Sequence, residues 1–195
     1  MDLNIDFFHI VNENVAEKGR ILISEPFLSD SYFRRSVVYL TEHNEDGSLG
    51  FVLNKPLEIS ISEIVEDFPS SEFSISVGGP VSNNTVHYIH TLGLQVPESV
   101  EVADGIFWGG DFDILKELIS AGAVKPNELR FFLGYAGWSA NQLEGEMQEN
   151  AWLVGKISPH MVMEGMDSEF WSNTLARYNN KYKAWANFPE DPGLN

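Results

Sequence analysis

Apolar and polar positions along the chain predict short strands that alternate irregularly with short helices. Residues 20–25 (Arg-Ile-Leu-Ile-Ser-Glu) form a strand set between Gly19 and Pro26, and residues 36–42 form a second. Asn44 to Ser48 is a turn, because Asp46-Gly47 tolerates positive φ, and Leu49 to Leu53 returns as the other arm of a hairpin. Asn54-Lys55-Pro56 ends it. Ser60 and Glu63 have capping-box spacing ahead of Ile64, Val65 and Phe68, so a helix is expected there, stopped by Pro69. Strands follow at 74–77 and 85–92, then a stretch over 100–108 with a turn at Asp104-Gly105. Asp111 caps a helix whose Ile114, Leu115, Leu118 and Ile119 share one face, and Gly122 closes it. Leu129 to Tyr135 is a buried strand carrying Phe131, Phe132 and Leu133 in a run. Ser139 and Gln142 form a second capping box, opening a helix to about Glu149. Trp152 to Lys156 is a last strand, and residues 168–180 a last helix with acids first and bases later.

No repeat, low-complexity segment or composition shift marks a linker. The irregular alternation favours α+β over a regular βαβ array, in a single domain spanning 1–195 with an N-terminal extension over 1–18. The 195 residues suffice to bury roughly 70% of the unfolded surface, so no staple is needed. There is no cysteine, which excludes disulfides, a thiol nucleophile and thiolate zinc sites. The start Met1-Asp2-Leu3-Asn4-Ile5-Asp6 is acidic where a signal peptide is basic, so a cytoplasmic location is the expectation. The longest uncharged stretch, Phe73 to Pro97, is broken by Gly78-Gly79-Pro80 and Asn83-Asn84 and reads as strands and turns, not a membrane span.

The net charge of −17 repels a phosphate backbone. Two basic clusters stand out, Arg34-Arg35 and the group Arg177, Lys181 and Lys183; the first reads as surface, the second as cations offsetting a helix dipole. A partner, if it is a protein, is expected to be basic.

The candidate chemistry is sparse. Gly78-Gly79-Pro80, Gly109-Gly110-Asp111 and Gly134-Tyr135-Ala136-Gly137-Trp138 each end a strand, yet none matches a phosphate loop or a dinucleotide fingerprint. Tight turns and close packing explain them as readily as a ligand does. His87 and His90 are three apart in a strand, which sends them to opposite faces, so they do not share a metal unless the strand bulges. His43 lies among Glu42, Glu45 and Asp46; the group could attract a cation, but it reads first as a solvated hairpin tip. No nucleophile elbow is present. No catalytic residue, cofactor or metal site is assigned.

Several phrases become specific when taken in order. They are Gly19–Pro26, Phe33–Leu40 (Phe-Arg-Arg-Ser-Val-Val-Tyr-Leu), Glu42–Gly47, Gly50–Pro56 (Gly-Phe-Val-Leu-Asn-Lys-Pro) and Gly78-Gly-Pro-Val81. Trp108-Gly-Gly-Asp111, Phe132–Trp138, Gln142-Leu-Glu144 and the closing Asn187–Asn195 complete the set. Together they resemble the YqgE/AlgH family, over nearly the whole chain from about residue 19. The resemblance implies an α+β fold with a bifurcated, mostly antiparallel β-sheet curled into a pseudo-barrel and helices packed outside. Some members of that family are described as transcriptional regulators, and no catalytic residues are established for it. The motif positions to follow are Arg34, Asn54, Gly79, Pro80, Gly110, Tyr135, Trp138 and Gln142. A non-enzymatic regulatory or protein-interaction domain is the first expectation. A small-molecule binder or enzyme with a site at the Gly-rich strand ends is the alternative, and direct DNA binding is disfavoured by the charge.

Overall fold

The computed structural model describes residues 9–189. The strands are β1 (Ile21–Ser24), β2 (Val37–Asn44), β3 (Gly47–Val52), β4 (Pro56–Ser60), β5 (Ser74–Val77), β6 (Val81–His90), β7 (Val100–Ala103), β8 (Ile106–Trp108), β9 (Leu129–Ser139) and β10 (Trp152–Gly155). The helices are α1 (Phe112–Ser120), α2 (Gln142–Gln148), α3 (Pro159–Glu164), α4 (Phe170–Leu175) and α5 (Asn180–Trp185).

Strand β9 is the axis of the sheet. Along one edge it pairs antiparallel with β6, from His90 opposite Leu129 to Val86 opposite Leu133. Its other edge is shared. The first half runs parallel to β5, with Ile75 opposite Phe131 and Val77 opposite Leu133. The second half runs antiparallel to β3, with Gly50 opposite Ala136 and Gly47 opposite Ser139. The sheet therefore forks along β9. One wing continues β3-β2-β1-β10; the other holds β5-β4 and, across β9, β6-β8-β7.

The chain makes the fork with glycine. The Gly78 N–H donates to the Leu133 carbonyl, and the Gly78 carbonyl accepts from the Val52 N–H, both at 2.9 Å, so one residue ties β9 to β3. Gly79 lies so close to β9 that a Cβ there would sit 2.2 Å from the Tyr135 carbonyl. No side chain fits such an approach.

The two wings curl towards each other without closing. Their facing sides share one apolar core, joining Ile21, Tyr39 and Phe51 of the first wing to Ile89, Val102 and Ile106 of the second. Val162, Trp171, Leu175 and Trp185 of α3–α5 seal that concave side. On the outer faces, α2 covers Leu22, Val38 and Val52, and α1 covers Ile75, Tyr88 and Phe131. At the rim, Lys156 pairs with Asp104 at 3.1 Å and the Lys18 ammonium donates to the Glu101 carbonyl at 2.8 Å. These contacts bring the β7–β8 turn to the first wing. The outer edge of β10 is capped by side chains that imitate a strand: the Val154 N–H donates to Asn12 Oδ1 at 2.6 Å, and Asn12 Nδ2 donates to the Trp152 carbonyl at 3.1 Å. Such covering blunts an otherwise open edge.

The bifurcated pseudo-barrel agrees with the expected fold, and several local expectations need correction. The capping box at Ser60 forms, with the Ser60 N–H donating to Glu63 Oε2 at 2.7 Å, but the segment makes one 3-10 turn and stops. Ile61 is its one buried side chain, Ile64 is exposed and Asp67 sits at φ +56°, so little apolar burial drives propagation. The last helix is two, α4 and α5, with Asn179 capping the second by accepting from the Lys181 N–H at 3.1 Å. Lys181 thus falls in a first turn, where no dipole is offset, while Lys183 lies in the last turn as expected. Strand β4 and helix α3 were not anticipated, although Ser158-Pro159 carries the N-cap and N1 signals of a helix start. The acidic start and residues 190–195 of the closing phrase lie outside the described residues. Among the described residues, no helix is long and apolar enough to cross a membrane.

Candidate functional site

Strand register carries one uncovered surface through β2, β3 and β9. Glu42 stands opposite Leu49, and Leu49 opposite Gly137; Asn44 stands opposite Gly47, and Gly47 opposite Ser139. Side chains alternate along a strand, so these six residues share one face. They floor an open cleft of about 420 Å³, walled by Tyr135 and Val81 on one side and by Asp46 on the other. Gly137 leaves the floor low, whereas the side chain that Gly47 lacks would point into β9, its Cβ 2.2 Å from the Trp138 carbonyl. A Cβ on Gly137 would approach Tyr135 Cε2 to 3.0 Å and Val81 Cγ2 to 3.6 Å, so any larger residue would fill the space between the walls. None of the lining residues is cationic.

The polar edge is tied together by Asn44. Its Nδ2 donates to Glu42 Oε1 and its Oδ1 accepts from the Asp46 N–H, both at 2.8 Å. Behind Tyr135 lies His87, edge-on at 5.6 Å and also beside the Phe51 ring at 5.5 Å. Its Nε2 is buried with no hydrogen-bond partner among the described residues, and burial lowers its pKa. His90 faces the other way, against Tyr88 and Phe107, as its odd offset requires. Its ring is fully satisfied: Nδ1 accepts from the Leu92 N–H at 3.3 Å and Nε2 donates to the Gly109 carbonyl at 3.0 Å.

The opposite face of the same three strands is covered by α2, with an open pocket of about 510 Å³ at its margin lined by His43, Glu144 and Met147. Glu146 of α2 accepts from both indole N–H groups, Trp138 at 2.9 Å and Trp152 at 2.7 Å, through Oε2. Its Oε1 accepts from Gln142 Nε2 at 3.0 Å, and Gln142 Oε1 accepts from the Ser139 N–H at 3.0 Å. Phe33 stacks on Trp138 and meets Trp152 edge-on. On this face His43 Nδ1 lies 2.7 Å from Ser48 Oγ, and His43 Nε2 lies 3.7 Å from Glu144 Oε1. The direction of the His43–Ser48 bond follows the imidazole tautomer, and 3.7 Å is too long for a hydrogen bond to Glu144. The order resembles an activated serine, but alternation turns this hydroxyl towards α2 and away from the cleft. Its evident work is to brace the hairpin against α2. No group of three His, Asp or Glu able to hold a metal ion occurs among the described residues.

The eight motif residues separate accordingly. Tyr135 lines the cleft, and Trp138 joins its rim while its indole serves the clamp. Gln142 belongs to the clamp. Asn54 bridges strand ends: its Oδ1 accepts from the Val37 N–H at 2.9 Å and its Nδ2 donates to the Arg35 carbonyl at 2.8 Å. Gly79 makes the fork, and Pro80 leads from it into β6. Gly110 lies far along the second wing, where a Cβ would meet Val96 Cγ1 at 2.7 Å. The Arg34 side chain is exposed, whereas its neighbour Arg35 lies over the Trp171 ring at 5.0 Å and donates to the Phe188 carbonyl at 2.5 Å. Sequence reasoning passed over Asn44 and Glu146, and it named Gly137 only within its glycine-rich run. That Gly137 and Gly47 share one face, opposite Leu49 and Ser139, is legible only once register is known.

The fold and the sequence are matched by known proteins. Residues 21–183 match the family model described as DUF179, AlgH-like. A UPF0301 protein of Chlorobium limicola is 42% identical over 187 residues, covering 95% of this chain and 100% of the relative. One from Bacteroides thetaiotaomicron is 40% identical over 197 aligned positions, covering 100% of both chains. The solution structure of the AlgH protein from Pseudomonas aeruginosa aligns with a TM-score of 0.69 at 30% identity, covering 86% of this chain and 92% of that one. A crystal structure from Corynebacterium diphtheriae aligns at 0.77 with 21% identity, covering 96% and 100%, and supports the fold alone. The chain belongs to the AlgH-like family.

Proposed function

We propose that this protein is a non-enzymatic interaction domain that receives a basic segment of a partner protein in the cleft floored by Gly47 and Gly137. The observation that carries this reading is the cleft itself: an uncovered strip of sheet with an aromatic wall, two carboxylates and no cation in its lining. The net charge of −17 would draw a basic partner from a distance and repel nucleic acid. Any regulatory role then runs through a protein partner and not through direct DNA contact. Tyr135 adds an aromatic wall beside the two carboxylates.

The test is a titration of the intact chain with lysine- and arginine-bearing peptides against a neutral peptide of equal length, at two salt concentrations. Binding of the basic peptides that weakens with salt, and that falls at least about tenfold in a Glu42→Lys, Asp46→Lys double variant, supports the reading. Equal binding of basic and neutral peptides, or binding indifferent to the double variant, contradicts it.

A further inference from the structure

We propose that residues 9–16 are a displaceable guard on the outer edge of β10, and that this edge pairs with the same edge of a second copy of the chain once the guard is lifted. The surface shares no residue with the cleft and is independent of the basic-partner reading.

The edge and its cover are anchored very differently. Strand β10 is fixed in the core: Trp152, Leu153 and Val154 are all buried, and the strand pairs with β1 from Ser24 opposite Trp152 to Ile21 opposite Gly155. The guard has one buried residue, Ile10, while Val11 is 60% and Val15 73% exposed. Its bonds to β10 run through two amide side chains. The Val154 N–H donates to Asn12 Oδ1 at 2.6 Å, Asn12 Nδ2 donates to the Trp152 carbonyl at 3.1 Å, and Asn14 Nδ2 donates to the Val154 carbonyl at 3.4 Å. The start of the guard is held by the Ile10 N–H on Asn150 Oδ1 at 2.7 Å, the Val11 N–H on the Tyr182 hydroxyl at 3.2 Å, and the Lys181 ammonium on the His9 carbonyl. A bare strand edge is a template for another strand. Val154 decides which strand fits, because its N–H and its carbonyl both point outwards to their asparagine partners. In an antiparallel ladder, two facing residues so oriented exchange both bonds. Two copies related by a twofold axis at Val154 therefore satisfy each other, and the edge is complementary to itself. Asn12 and Asn14 occupy the same groups, so guard and second copy exclude one another. The net charge of −17 opposes the encounter at low salt, and raised salt screens it.

Sedimentation velocity of the intact chain and of an Asn12→Ala, Asn14→Ala variant, at about 0.3 M salt, tests this. The variant should self-associate at least about tenfold more strongly than the parent, because the groups its guard covered are freed. Its mass should climb to twice that of the chain and stop there, since a twofold contact closes on itself. Amide hydrogen exchange locates the contact. In the dilute variant the Val154 amide should exchange faster than in the parent, and it should slow as concentration rises. If the double variant does not fold, Asn12→Ala alone carries the test, since Asn12 makes two of the three bonds. An unchanged mass, growth beyond twofold, a parent that associates as strongly as the variant, or a doubling that leaves the Val154 amide unprotected overturns the proposal. Each of these outcomes leaves the basic-partner reading of the cleft as it stands.

Discussion

The two faces of the β2–β3–β9 ribbon are built from alternate residues of the same strands, yet they have opposite characters. On the α2 face every polar group of the Trp138–Trp152–Glu146–Gln142 set has a partner, and three aromatic rings interlock over it. On the other face, one residue away in each strand, glycine stands at two of six positions and no helix contributes to the lining. The contrast shows where stability and recognition have been placed. A tryptophan that looks functional in sequence can be committed to a clamp, and a hairpin tip that looks like solvated turn can border a strip of sheet left bare.

The largest expected effect lies at the fork on which both faces depend. Gly79→Ala would drive a methyl into the Tyr135 backbone at 2.2 Å, where neither partner can yield. A loss of more than about 4 kcal/mol follows, and the variant should show little or no folded signal in urea titration. Next comes the covered face. Glu146→Ala strands two buried indole N–H groups at about 1–3 kcal/mol each, so a loss near 3 kcal/mol and a melting point lower by roughly 6–12 °C are expected. Binding of basic peptide per folded molecule should survive, because the cleft face is untouched.

The open face should give the reverse pattern. Gly137→Val suits a strand, but its Cβ would lie 3.0 Å from Tyr135 Cε2, so the ring must shift and a loss of about 1–2 kcal/mol is expected. Peptide binding should fall about tenfold or more, as expected when a bare floor is filled. If Gly137→Val melts the protein and Glu146→Ala abolishes binding, the division of labour between the faces is wrong.

The smallest effect concerns pH. Burial lowers the pKa of His87 and of His90, so the folded state takes up these protons later than the unfolded chain does. Between the folded values and the ordinary value of 6.5 the unfolded chain binds more protons, so stability falls as pH drops through that window. His87 has no partner for Nε2 and sits against Phe51 and Tyr135, so His87→Phe should be tolerated at pH 7.5 and should flatten the decline in melting temperature towards pH 5. A decline as steep as in the parent chain would place the acid sensitivity elsewhere.

Much of the fold was legible because local signals and packing agree. Leu22, Val38 and Phe131 are buried in the strands their runs predict, and Asp111 accepts from the Asp113 and Ile114 N–H groups at 3.0 Å as the start of α1 requires. The Asp104-Gly105 turn likewise has both residues at positive φ, as a tight hairpin demands. Elsewhere a correct local signal was overruled by packing. The Ser60–Glu63 box formed without a helix to follow it. The break between α4 and α5 follows from Asn179, whose capping bond a pattern of charges could not foretell. The cleft was illegible for a different reason. Its chemistry depends on which residues share a rung across three strands, and register between β3 and β9 spans some ninety residues of chain. Buried Arg130 is a similar case. Its guanidinium donates to the Val162 carbonyl at 2.5 Å and the Leu53 carbonyl at 2.6 Å, bracing α3 against the end of β3, and burial pulls its pKa down to about 9. In sequence it is only a polar residue before an apolar run.

Amide chemical-shift mapping of the intact chain, titrated with a lysine-bearing peptide, locates the binding surface. Saturable shifts should be concentrated in residues 42–49 and 135–139, with the α1 and α5 amides unmoved. Shifts centred on another surface, or none at peptide concentrations well above the chain's own, would contradict the cleft as the site of binding.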